Sequence, residues 1–174
     1  SSGNFDPMTQ YELHYHLGIA HRNLIPVAGQ MAAAEENYRK AIALPINEKL
    51  KLGAHLNLGA LLKLKKDLAV ALEQYEIAAR IDPSQPMTYL NIGLIHRARG
   101  YLEPALRAYE YVITLAPEYG AAYQNLAVVL FKLGRLPESK QAFEKAIRLI
   151  AKTNPAESDR IRQGMKALGI DKLS

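Results

Sequence analysis

A recurrence at intervals of 34 residues constrains this chain more than any other feature of it. Gly59, Gly93 and Ala127 keep that interval, as do Ala71, Ala105 and Ser139, and as do Tyr75, Tyr109 and Phe143. Pro83 and Pro117 follow it, and so do Gly100 and Gly134. Each residue type has a steric reason. Small side chains at Gly93 and Ala105 let two helices cross closely, and Tyr89, Ile92 and Tyr109 fill the space around the crossing. Gly100 eases a tight turn where positive φ is expected. Pro117 lacks an N–H and ends the second helix. One such helix pair cannot bury its apolar face alone, so neighbouring pairs must stack on it.

The stretch Pro86 to Tyr119, PMTYLNIGLIHRARGYLEPALRAYEYVITLAPEY, resembles the tetratricopeptide repeat, a helix–turn–helix unit of 34 residues. A further copy lies upstream, out of register. Leu17-Gly18 matches Leu58-Gly59 at a spacing of 41, whereas Ala34, Tyr38 and Ala41 match Ala71, Tyr75 and Ala78 at 37. About four residues are therefore inserted between the helices of the first repeat, around Leu24 to Val27. About three more precede the second repeat, around Pro45 to Lys49. The resemblance implies an all-α, right-handed superhelix of four repeats, at about 9–48, 52–85, 86–119 and 120–153. Asn154-Pro155-Ala156-Glu157 is a helix-start signal. It opens a capping helix within 154–170, with Ile161, Met165 and Leu168 apolar. Ser1-Ser2-Gly3 reads as a cloning scar, and residues 1–8 are expected to be disordered.

The expected helices run Met8–Leu24, Ala28–Leu44, Asn47–Leu64 and Asp67–Ile81, with Asn47 and Asp67 as caps. They continue with one opened by Pro86, then Leu102–Leu115, Glu118–Leu133 and Leu136–Lys152.

In this family the first helix of each repeat lines a concave groove. Its sixth position is His16, Asn57, Asn91 and Asn125 in turn. An amide carries both donor and acceptor, so such a row can hold the backbone of an extended peptide without reading its side chains. The row resembles the asparagine ladder of O-linked N-acetylglucosamine transferase repeats. The groove floor at positions 5 and 9 is Tyr15 and Ile19, Leu56 and Ala60, Leu90 and Leu94, Gln124 and Val128, with Met87 at position 2. It is more apolar than a solvated face, as binding grooves are. Arg22, Lys63, Arg97 and Lys132 form a basic row suited to an acidic segment. The chaperone-tail carboxylate clamp is disfavoured, because Met87 and Asn91 occupy its third-repeat positions.

No phosphate loop, His-Glu-x-x-His or nucleophile elbow occurs. His14 and His55 share one repeat position and His21 and His96 another, both normally core positions, so packing outweighs metal binding. The chain calls for no cofactor or metal. With no cysteine it fits a reducing compartment such as the cytoplasm. Its longest uncharged run, the 14 residues Pro83–His96, is too short to span a bilayer. The net charge of +5 is spread along the chain, which makes nucleic acid an unfavoured partner. The expected function is a non-enzymatic adaptor or assembly scaffold that holds a peptide or helix of another protein in the groove. Two alternatives stay open. One is the substrate-recruiting region of a larger enzyme, such as a glycosyltransferase. The other is self-assembly through the groove or a tyrosine patch at Tyr101, Tyr109 and Tyr111.

Overall fold

The computed structural model describes residues 6–24 and 29–172. Among the described residues every regular element is helical. They fall into two compact units, 1–83 and 84–174.

The first unit holds α1 (Pro7–Asn23), α2 (Gln30–Ala43), α3 (Leu52–Leu64) and α4 (Leu68–Ile81), with a 3-10 turn at Glu48–Lys51. Helix α1 packs on α2, α2 on α3 and α3 on α4, with α1 also touching α3. Helix α1 starts at Pro7 because Asp6 caps it, its carboxylate accepting from the N–H groups of Met8 and Thr9. Residues 7 and 8 are thus helical rather than disordered, and residues 1–5 lie outside the described residues. Asn47 does not cap a long helix. Its side chain accepts from the Lys49 N–H and starts the 3-10 turn, which hands over to α3 at Leu52. Helix α2 begins at Gln30, and the expected start at Ala28 and most of the insertion at Leu24–Val27 fall outside the described residues. Asp67 caps α4 as expected, accepting from the Val70 N–H.

The second unit holds α5 (Pro86–Ala98), α6 (Leu102–Leu115), α7 (Gly120–Lys132), α8 (Leu136–Ile150) and α9 (Pro155–Ala167). Each helix packs on the next, and α5 also touches α7. Helix α7 starts at Gly120, two residues later than expected, and α8 stops at Ile150. Asn154 caps α9, its Oδ1 accepting from the Glu157 N–H at 3.1 Å.

The crossings obey the steric pattern. A Cβ added to Gly18 would lie 2.5 Å from the Tyr38 ring, and one added to Gly93 would lie 2.5 Å from the Tyr109 ring. Both tyrosines are fully buried. The turns between paired helices adopt left-handed geometry at Gly100 (φ 81°) and Gly134 (φ 76°). Lys66 holds the same repeat position at φ 64°. Ser139 stands where other repeats have alanine, and its buried hydroxyl donates to the Ala127 carbonyl at 2.8 Å. The core of the second unit runs from Tyr109 and Val112 through Val129, Leu130 and Phe143 to Ile161, Met165 and Ile170, so α9 is part of it.

Candidate interaction surface

The sixth-position residues are placed differently in the two units. In α3, Asn57 is half-buried and bonded on both sides. Its Oδ1 accepts from the Arg22 guanidinium of α1, and its Nδ2 donates to the Tyr15 hydroxyl at 3.2 Å. Tyr15 in turn stacks on Tyr11 at 5.7 Å between ring centroids and packs against Gly53, where a Cβ would lie 2.7 Å from its hydroxyl oxygen. Asn57 thus ties α1 to α3. His16, next to it on α1, is exposed, with its ring 5.5 Å from Tyr15.

In the second unit, Asn91 and Asn125 repeat one pose. Nδ2 of Asn91 donates to the Met87 carbonyl at 2.8 Å, and Nδ2 of Asn125 donates to the Ala121 carbonyl at 2.8 Å. Each amide is thereby held in a fixed orientation by its own helix, one turn back. Met87 is exposed, and its sulfur accepts from the Tyr119 hydroxyl.

The apolar positions are unequal. Leu90 is only 6% exposed and belongs to the core, so little of it is left for a ligand. Leu94 and Val128 are half-buried against that core, and Leu56 is half-buried in α3. Val128 and Gln124 line a cleft of about 250 Å³ with Phe143 and with Glu157, Arg160, Ile161, Gly164 and Leu168, the last five from α9 and its C-terminal cap. The sequence reading treated α9 only as a cap. Its apolar Ile161 and Leu168, three and four residues from Gly164, were the available signal that it has a second, cleft-lining side.

The basic positions do not form a uniform row. Arg22 is engaged by Asn57 and lies near the Tyr38 hydroxyl, whose pKa is raised by burial and lowered in part by that cation. Arg97 lies equivalently beside Tyr109, whose pKa burial pushes up to about 12. Lys63 is half-buried, and desolvation lowers its pKa. Lys132 is exposed. In the expected tyrosine patch, Tyr101 and Tyr111 are exposed but Tyr109 is buried against Gly93, so Tyr109 cannot join a surface. Of the four histidines expected at core positions, only His55 is buried. His55 is 3% exposed and bonds Gln74 through Nδ1 at 2.9 Å, while His14, His21 and His96 are half-buried. Among the described residues no cluster of His, Cys, Asp or Glu is arranged to hold a metal. Among them, too, no helix is long and apolar enough to cross a membrane.

Comparison with known proteins gives one consistent relationship. Solved structures of the same fold include a crystal structure of MamA, with a TM-score of 0.74 at 22% identity, covering 82% of this chain and 79% of that one. A second MamA crystal structure has a TM-score of 0.73 at 20% identity and covers 95% of this chain and 90% of its own. MamA from Desulfovibrio magneticus RS-1, residues 41 to the end, has a TM-score of 0.70 at 24% identity and covers 86% and 78%. No curated protein matches by sequence. The profile of the tetratricopeptide repeat matches residues 27–86 and 87–154, most of the chain. With its helix pairs nested at small residues, the chain belongs to the tetratricopeptide repeat family, an all-α helical-repeat fold that serves as a protein-interaction module.

Proposed function

We propose that this chain is a non-enzymatic adaptor that holds an extended segment of a partner protein against the first helices of its repeats. The observation that carries this reading is the shared pose of Asn91 and Asn125. Two amides at the same repeat position, each fixed by its own helix, are pre-organised to meet a peptide backbone at a regular interval. Preorganisation lowers the ordering cost of binding. Asn57 offers the third amide, already braced by Arg22 and Tyr15. Leu56, Leu94 and Val128 would take apolar side chains of the partner, and Met87 extends that strip. Lys63, Arg97 and Lys132 would favour an acidic partner segment, with Arg22 contributing less because it is already engaged.

The test is capture from a native extract, read by mass spectrometry, with the wild type compared to the triple variant N57A/N91A/N125A. Each lost hydrogen bond costs about 0.5–1.5 kcal/mol, so the three together should weaken capture by roughly tenfold or more. Helical circular dichroism should persist. Undiminished capture by a folded triple variant rules out the amide row.

A second reading, self-association, is favoured by an exposed apolar strip on α1, where Leu13 is 48% and Leu17 38% exposed beside Thr9, Glu12 and His16. Light scattering after size exclusion discriminates it. A constant monomer mass across concentration removes this reading.

A further inference from the structure

The two units fasten their helix pairs with different chemistry at one repeat position. In the first unit, an imidazole of the first helix meets an amide of the second. His14 of α1 bonds Asn37 of α2 through Nδ1 at 3.1 Å, and His55 of α3 bonds Gln74 of α4 at 2.9 Å. In the second unit the corresponding first-helix residues are Tyr89 and Tyr123, and Ala108 and Ala142 hold the equivalent second-helix positions. Tyr89 packs edge-on against Tyr111 with centroids 4.4 Å apart, and the Tyr123 hydroxyl donates to the Pro117 carbonyl at 3.1 Å. Neither arrangement contains an imidazole.

Of the two imidazole pairs, the α3–α4 one is sealed. His55 is 3% and Gln74 9% exposed. With Nδ1 donating to the Gln74 Oε1, the imidazole is neutral and its second nitrogen, Nε2, carries the lone pair. That Nε2 is enclosed and has no hydrogen-bond partner. Protonation there would place a cationic N–H in the interior with no acceptor, which costs far more than a satisfied polar group. The charged groups that act on His55 are Glu48 and Lys51 of the 3-10 turn and Arg80 of α4. Glu48 favours the cation but is itself paired with Lys51 at 2.7 Å, while Lys51 and Arg80 oppose it.

We infer that His55 is an acid-sensitive latch: mild acidification loosens α3 from α4 in the first unit, while α7 and α8 of the second unit, which carry no histidine, stay closed. The inference goes beyond the peptide-holding reading and does not depend on it, since the latch is a property of the unliganded chain. Should that reading also hold, acid would withdraw Leu56, Asn57 and Lys63, which α3 carries beside His55, from the bound segment.

Burial holds the His55 imidazole below the ordinary histidine pKa, a shift only partly offset by the Gln74 hydrogen bond. A group whose folded pKa is depressed contributes stability that is fully present above the unfolded value, about 6.5, and that drains away as pH falls toward the folded value. The linkage slope of one proton limits the effect to about tenfold per pH unit.

The test is hydrogen–deuterium exchange of the whole chain at about pH 7.5 and about pH 5.5, corrected for intrinsic exchange rates. Protection in α3 and α4 should fall several-fold, up to about tenfold, relative to α7 and α8. Two variants should abolish the difference. H55Y/Q74A imports the pairing of the second unit, and H55Q keeps a side chain able to bond Gln74 without titrating. Equal loss of protection in both units of the wild type overturns the latch, as does a folded variant that keeps the wild-type difference. The His55 ring proton followed by NMR in the wild type decides the matter even if neither variant folds. Titration at or above about 6.5 overturns the proposal, and titration below it supports it.

Discussion

Tyr109 packs directly on Gly93: a Cβ on that glycine would lie 2.5 Å from Cε1 of the ring, closer than real Cβ atoms approach. Tyr109 is fully buried, with no room to swing aside. Gly93→Ala should therefore destabilise the chain by about 1–3 kcal/mol, the usual cost of overpacking a closed core. Gly59 provides an internal scale. Its Cβ would meet the Tyr75 ring at 3.0 Å, so Gly59→Ala should cost less than Gly93→Ala. Urea unfolding of the two variants checks the order, and an equal or reversed order removes the steric account.

The turn at Lys66 differs from its counterparts in residue type but not in geometry. Lys66 has φ 64°, against 81° at Gly100 and 76° at Gly134. A non-glycine residue in the left-handed region carries a penalty of roughly 1–2 kcal/mol, part of which glycine gives back through its greater chain entropy when unfolded. Lys66→Gly should raise stability by up to about 1 kcal/mol. The mirror change, Gly100→Lys, should lower it by a similar amount, and thermal unfolding of both variants checks the pair.

Asn57 and its counterparts should separate cleanly in stability. Asn57→Ala leaves the half-buried Arg22 guanidinium and the Tyr15 hydroxyl without their amide partner, a loss of about 1–3 kcal/mol. Asn125→Ala removes a bond to its own helix backbone and should stay within about 0.5 kcal/mol of wild type, and Asn91→Ala, which removes the same kind of bond, should cost less than Asn57→Ala. Denaturant midpoints of the three single variants measure this. A destabilised Asn125 variant would show that its amide serves the fold rather than a ligand.

The repeat was legible in the sequence because its signals are steric and local: Gly93 opposite Tyr109, Gly100 in a left-handed turn, Asn154 ahead of Pro155. Each acts over a few residues or across one helix pair. The interaction surface was less legible, because periodicity says which way a side chain points and not what it meets. Leu90 and Leu94 read alike as floor residues, yet Leu90 is in the core and Leu94 only leans on it. Asn57 read like Asn91, yet the arginine 35 residues earlier captures its carbonyl. The 3-10 turn after Asn47 was hidden for a related reason. A capping asparagine announces a helical start without specifying how tightly the first turn winds.

Glu35 gives the chain a second, more acidic dependence on pH. It sits on α2 with its side chain only 17% exposed, bonded to Lys65 after α3 and to Arg39 one turn along its own helix. The Lys65 hydrogen bond holds its carboxyl below the usual carboxylate range, opposed by desolvation and reinforced by Arg39. Because the folded pKa is depressed, the stabilisation is present above the unfolded value near 4.5 and is lost as pH falls through the folded value. Lys65 follows Leu64 at the end of α3, so the bond joins α2 to the far end of its neighbour. Glu35→Gln should lower stability at neutral pH and flatten its decline below about pH 4.5. Glu36 is the control: it pairs only with Lys40 on the surface of the same helix, and Glu36→Gln should leave the profile nearly unchanged, as exposed pairs contribute little. Urea midpoints collected across the acid range for both variants decide it, and parallel profiles for Glu35→Gln and wild type would show that the α2–α3 ion pair carries no stability.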